Sequence, residues 1–238
     1  MLLALLRGGL FLAGFLGAGA MAWAGRAYFA EDDLPEFVLE HLPLASGLSE
    51  DLWLGALRVH VVAGCLALPA CLILLSRRVL GAWPLLHRWL GRLTGVVIML
   101  ALLPSGAVLS LDAKEGWPVS VGFWLSGSVV ACGMVLGVRA ARRRQSVAHR
   151  RWVSHVAGQL AVAVASRVLM AALDAAAVDP GVAYLAALWI PVVLSVVIIE
   201  FLNRPRALPV RRTRRRTHEN AMAGVVAAHP AVSSGAGG

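Results

Sequence analysis

The sequence predicts an all-α fold: a multi-pass transmembrane helix bundle of six helices with both termini cytoplasmic. Three observations carry that expectation. The chain has 238 residues and is 59% hydrophobic, with a mean hydropathy of +0.75, whereas soluble domains average ~45–50% apolar. Six apolar segments are long enough, or nearly so, to cross ~30 Å of hydrocarbon at 1.5 Å per residue. The loops between them alternate in charge, as the positive-inside rule requires.

The expected spans are residues 5–24, 53–75, 89–111, 119–136, 152–173 and 182–201. The first ends in the small residues Ala20, Ala22 and Ala24, so it also has the look of a cleaved signal peptide. Cleavage would leave five spans and put the basic tail on the opposite side from the other arginine loops. The loop 25–52 is acidic, with an amphipathic stretch from Phe37 to Leu44 that suggests a short interfacial helix capped by Asp32 or Asp33. The fourth segment is interrupted by Gly122, Ser126, Gly127 and Ser128, which suggests a helix packed inside the bundle.

Arginines fill the second loop (Arg77, Arg78, Arg88), the fourth loop (Arg139 to Arg151) and the tail from Arg204. Acidic residues dominate the intervening loops: Asp112 and Glu115, then Asp174 and Asp179. The formal net charge of +9 is therefore a topology signal and does not point to nucleic acid. The bundle is expected over 1–204, and the basic, Ala/Gly/Ser-rich tail 205–238 is expected to be disordered and cytoplasmic. Cys65, Cys71 and Cys132 match no zinc or haem-attachment spacing and read as small apolar wall residues. There is no phosphate loop, no G-x-S-x-G and no HExxH, and the loops are too short for an added domain, which argues against hydrolase or kinase chemistry.

Polar side chains inside or beside the spans are the candidate functional residues, because hydrocarbon punishes each one that lacks a partner. His60 shares a helix face with Gly64, Ala67 and Cys71. That pattern fits close helix packing, or a flat cofactor lying on small residues with His60 as ligand. His87 opens the third span. His149 and His155 open the fifth, where His155, Gln159 and Ser166 share a face. Arg167 lies deeper in that span, open either to a pair with Asp174 or to a site shared with His60. Glu200 ends the sixth span, where it would pair with Arg204 or complete a His87–His155–Glu200 metal cluster.

The runs His60-x-x-x-Gly64, His87-Arg88-Trp89-Leu90-Gly91-Arg92 and Ala148-His149-Arg150-Arg151-Trp152, followed by Arg167, resemble a bacterial integral membrane family of unknown function (domain of unknown function 2306). The resemblance covers about residues 53–203. It implies a multi-helix membrane protein in which His60, His87, His149 and Arg167 are the matching positions. Val153 and His155 depart from the methionine and arginine usual there. A looser similarity is to two-haem transmembrane cytochromes, whose four-helix cores hold b-type haem between histidines on separate helices. That similarity implies His87 and His155 as a ligand pair on one membrane side.

Three functions fit these residues. The first is a redox protein of the bacterial cytoplasmic (inner) membrane, holding haem or a metal through His60, His87, His149 or His155. The second is a non-redox protein that binds or transports a quinone, lipid or small anion in a cavity lined by Arg167, Gln159 and Ser166. The third is a structural or assembly subunit whose polar residues are all satisfied internally. The lipid bilayer is a partner in every case, and a quinone or other redox partner is expected in the first.

Overall fold

The computed structural model describes residues 2–30, 34–42, 44 and 46–203. Among these residues there are helices and connecting turns and no strand. Helix α1 spans Leu2–Gly25, and a short α2 spans Glu36–His41. Helix α3 follows at Glu50–Leu75, then a short α4 at Arg77–Ala82. A long interrupted helix comes next, with α5 at Pro84–Val97, a π turn at Ile98–Leu102, α6 at Leu103–Leu109 and a 3-10 turn at Ser110–Asp112. The chain continues with α7 (Trp117–Arg142), α8 (Ser146–Ala175) and α9 (Pro180–Asn203).

Among the described residues, five helices are counted as long and apolar enough to cross a membrane: Glu50–Leu75, Pro84–Asp112, Trp117–Arg142, Ser146–Ala175 and Pro180–Asn203. Each contains one of the expected segments from the second to the sixth. The first segment is helical too, as the 24-residue α1. Helix α2 falls within the amphipathic stretch of the 25–52 loop. Its expected cap, Asp32 or Asp33, and the tail 205–238 lie outside the described residues.

Local chemistry sets several of these boundaries. Ser49 caps α3 by accepting from the Leu52 amide at 3.3 Å, and Glu50 and Asp51 sit in the first turn, where the helix dipole favours acids. Pro84 starts α5, a position where its missing N–H costs nothing. Pro104 cannot donate to the helix ladder. Just before it the winding loosens into the π turn, in which the Leu103 amide reaches back five residues to the Ile98 carbonyl.

The central core is shared by four helical rods. Ala63, Ala67 and Cys71 of α3 meet Ile98 and Leu102 of the π turn, Val130 of α7, and Val156 and Ala157 of α8. A second cluster joins Val119, Val162, Leu188 and Val192 where α7, α8 and α9 meet. Helix α8 packs along both α7 and α9, whereas α5 packs on α3 and not closely on α8.

The fourth expected segment, in α7, packs on α8 and α9, and its small residues serve close contact with these two neighbours. A Cβ at Gly122 would lie 2.7 Å from the Leu188 side chain. A Cβ at Gly133 would lie 2.8 Å from Val156 and 3.1 Å from the Trp152 carbonyl oxygen, so glycine there lets α7 approach α8.

Candidate functional site

Two histidines start helices at the end of the bundle nearest the arginine loops. His87 sits in the first turn of α5 and His149 in the first turn of α8. They are close enough for their charges to interact. The Nδ1 of His149 lies 2.9 Å from the Gly137 carbonyl oxygen of α7. A carbonyl only accepts, so that nitrogen carries a proton, and in the neutral ring the lone pair is then on Nε2. A proton on one ring nitrogen, donated to the backbone, is the arrangement that orients a ligating imidazole. The Nδ1 of His87 is buried and has no hydrogen-bond partner among the described residues.

His155 does not join them. Its ring is buried and turned toward α9, with Nε2 2.7 Å from Glu200 Oε1. Glu200 also takes a bidentate contact from Arg151, at 3.0 Å from Nε and 2.6 Å from Nη2. The expected partner of Glu200, Arg204, lies outside the described residues, and the partners observed come from α8. Among the described residues no group of three or more His, Cys, Asp or Glu side chains is arranged to hold a metal ion, so the expected His87–His155–Glu200 cluster is not assembled. His155 Nε2 is taken by Glu200, which also leaves His155 apart from His87 as the pair that the cytochrome similarity implies; the histidine whose charge reaches His87 is His149.

Gln159 and Ser166 do not line a cavity with Arg167. Gln159 is buried and bridges three helices: it accepts from Ser126 Oγ at 2.8 Å and donates to Ser195 Oγ at 2.8 Å and the Val192 carbonyl at 3.2 Å. Ser166 donates to the Ala163 carbonyl of its own helix at 3.2 Å. Arg167 is exposed on α8 and pairs with neither Asp174 nor His60. Its electrostatic neighbour is Tyr184 of α9, which also interacts with Glu115 and Tyr28.

His60 is held against the π turn. Its Nδ1 lies 3.2 Å from the Leu102 carbonyl oxygen and 3.2 Å from Ser105 Oγ. The carbonyl again fixes the proton on Nδ1. Ser105 Oγ donates to the Ala101 carbonyl at 2.6 Å and is free to accept from the imidazole. The ring fits because residue 106 is glycine: a Cβ there would lie 3.0 Å from His60 Cε1. Sequence reasoning placed His60 on a stripe of small residues but missed Ser105 and the π turn as its partners. Pro104, a residue that removes an amide from the middle of an apolar run, is the signal that marks the turn.

One further polar side chain escaped the sequence reading. Arg58 is half-buried on α3, and its Nε donates to the Tyr28 carbonyl at 2.9 Å.

No curated protein and no solved structure matches the chain. A sequence family does match, over residues 57–203, and it is described as "Predicted membrane protein (DUF2306)". Those residues run from α3 to the end of α9 and so include every histidine described above. The match takes in more than half of the sequence, and the chain belongs to this family of membrane proteins.

Proposed function

We propose that the chain is a redox protein of the bacterial cytoplasmic membrane that holds a b-type haem between His87 and His149. The reading includes six spans with both termini cytoplasmic, which places these two histidines on the cytoplasmic side with the arginine loops. One observation carries it: two histidines stand in the first turns of different helices at the same end of the bundle, within range for their charges to interact. The donor set fits the group. His149 has its tautomer fixed by Gly137, which leaves Nε2 for a metal. His87 has a buried ring nitrogen with no partner.

A bound haem would supply one-electron chemistry. The protein's part is to hold and orient it. Arg88 and Arg150 directly follow the two histidines and bring cations suited to anionic propionates. A quinone or a redox protein would be the electron partner. His155, tied to Glu200, supports the α8–α9 interface and is not a ligand in this reading.

The test is an optical spectrum of the detergent-purified protein from haem-replete cells, oxidised and then dithionite-reduced. A Soret band with a sharp reduced α band is expected. It should be lost in His87→Ala and in His149→Ala and kept in His155→Ala. A colourless wild-type protein would overturn the reading.

A second reading, a non-redox protein that binds a quinone, lipid or small anion, draws on Arg167. That arginine is an exposed cation within a span, with no carboxylate paired to it.

A further inference from the structure

An apolar groove of about 320 Å³ runs along the outside of α3 where it meets the interrupted helix. Val62 and Leu66 of α3 line one side, and Val97 and Ala101 line the other. The last of these belongs to the π turn, which shifts that stretch out of regular α-helical register. Phe29 and Arg58 stand at one end. Arg58 and Leu66 are about 12 Å apart along the helix at 1.5 Å per residue, enough for a stretch of alkyl chain. Among the described residues that line it, Arg58 alone is charged.

The guanidinium at that end is positioned, and among the described residues it has no counter-charge. The Tyr28 carbonyl holds it through Nε, so the two terminal nitrogens are left to act as donors. Among the described residues no carboxylate pairs with it. A half-buried arginine in a lipid-facing groove needs an anion, and its planar fork suits phosphate oxygens. A neutral quinone carbonyl would accept a hydrogen bond but leave the charge uncompensated. A zwitterionic phospholipid carries its own ammonium to neutralise its phosphate.

We propose that the groove is a binding site for one anionic phospholipid, with its phosphate on Arg58 and an acyl chain lying along Val62, Leu66 and Ala101. The lipid belongs to the leaflet at the N-terminal end of α3, opposite the arginine loops. The proposal does not rest on the haem reading, since it uses none of the histidines.

The experiment uses the full chain purified in detergent and titrated with phosphatidylglycerol or with phosphatidylcholine of identical acyl chains. Melting temperature and lipid retained in native mass spectra are read on each sample. Phosphatidylglycerol should raise the melting temperature more than phosphatidylcholine and should be retained as one molecule per chain. Both effects should be lost in Arg58→Gln and kept in Arg77→Gln, at the opposite end of the bundle. Val62→Trp, which fills the groove without touching the charge, should also lose them, and it serves if Arg58→Gln fails to fold. Equal stabilisation by the two lipids in the wild type would overturn the proposal. So would unchanged retention in both variants, or equal loss in Arg77→Gln, which would mark a diffuse charge effect. Retention of a neutral quinone in place of phospholipid would overturn it as well.

Discussion

His155 of α8 and Glu200 of α9 meet at 2.7 Å, and the same carboxylate holds Arg151 at 2.6 Å. The two partners of Glu200 differ in what they lose without it. The His155 side chain is 5% exposed, so its N–H would be left buried and unpaired. The Arg151 side chain is 47% exposed and can turn to water or headgroups. Glu200→Ala should therefore destabilise the protein by about 1–3 kcal/mol, the cost of orphaning a buried donor. Arg151→Ala should cost at most about 1 kcal/mol, as exposed ion pairs do. Chemical unfolding of the purified variants in detergent measures both. Equal losses would mean that the ion pair, and not the imidazole contact, holds α8 to α9 there.

Gln159 makes a separate prediction, because its amide is fully used between helices. Gln159→Leu keeps much of the side-chain volume but removes the only hydrogen-bond acceptor of Ser126 seen across the α7–α8 interface. Ser195 retains the Val192 carbonyl at 3.0 Å. Interhelical hydrogen bonds of this kind contribute about 0.6–1.7 kcal/mol in membranes. The variant should unfold more easily by that amount, with the same optical spectrum as the wild type. A variant as stable as the wild type, with altered ligand binding or spectrum, would return Gln159 to the role of cavity residue that the sequence suggested.

The sequence made the helices legible because hydropathy and length are local properties. Each apolar segment from 53 onward lies inside one long helix, and His87 and His149 stand in the first turns of α5 and α8. Pairing was not legible, because it depends on how helices rotate and which of them touch. His87 and His155 lie toward the same end of different helices, yet Glu200 engages His155 at the α9 side. Arg167 was open to Asp174 by spacing along its own helix, but its neighbour is Tyr184 on another. The glycines of α7 suggested a helix packed inside the bundle, and they lie where α7 touches α8 and α9, since small residues mark where backbones approach. Arg58 gave no signal, because an arginine near the start of a span is common and its groove exists only between two helices.

His60 and Gly106 give the sharpest test of how the π turn is held. The two nearest atoms to a Cβ added at Gly106 are His60 Cε1 at 3.0 Å and Nδ1 at 3.3 Å, and nothing else lies within 4 Å. Gly106→Ala thus has two opposed effects. It gains up to about 1 kcal/mol of helix propensity, and it pushes the imidazole away from Leu102 and Ser105. His60→Ala loses those contacts but opens the space. In the His60→Ala background the glycine substitution should become stabilising, because only the propensity gain remains. In the wild-type background it should be neutral or destabilising. A double-mutant cycle read by unfolding should give a coupling of about 0.5–3 kcal/mol, the range for side chains in direct contact. Additive effects would mean that the ring moves aside freely, and that the Leu102 carbonyl is not what fixes its tautomer.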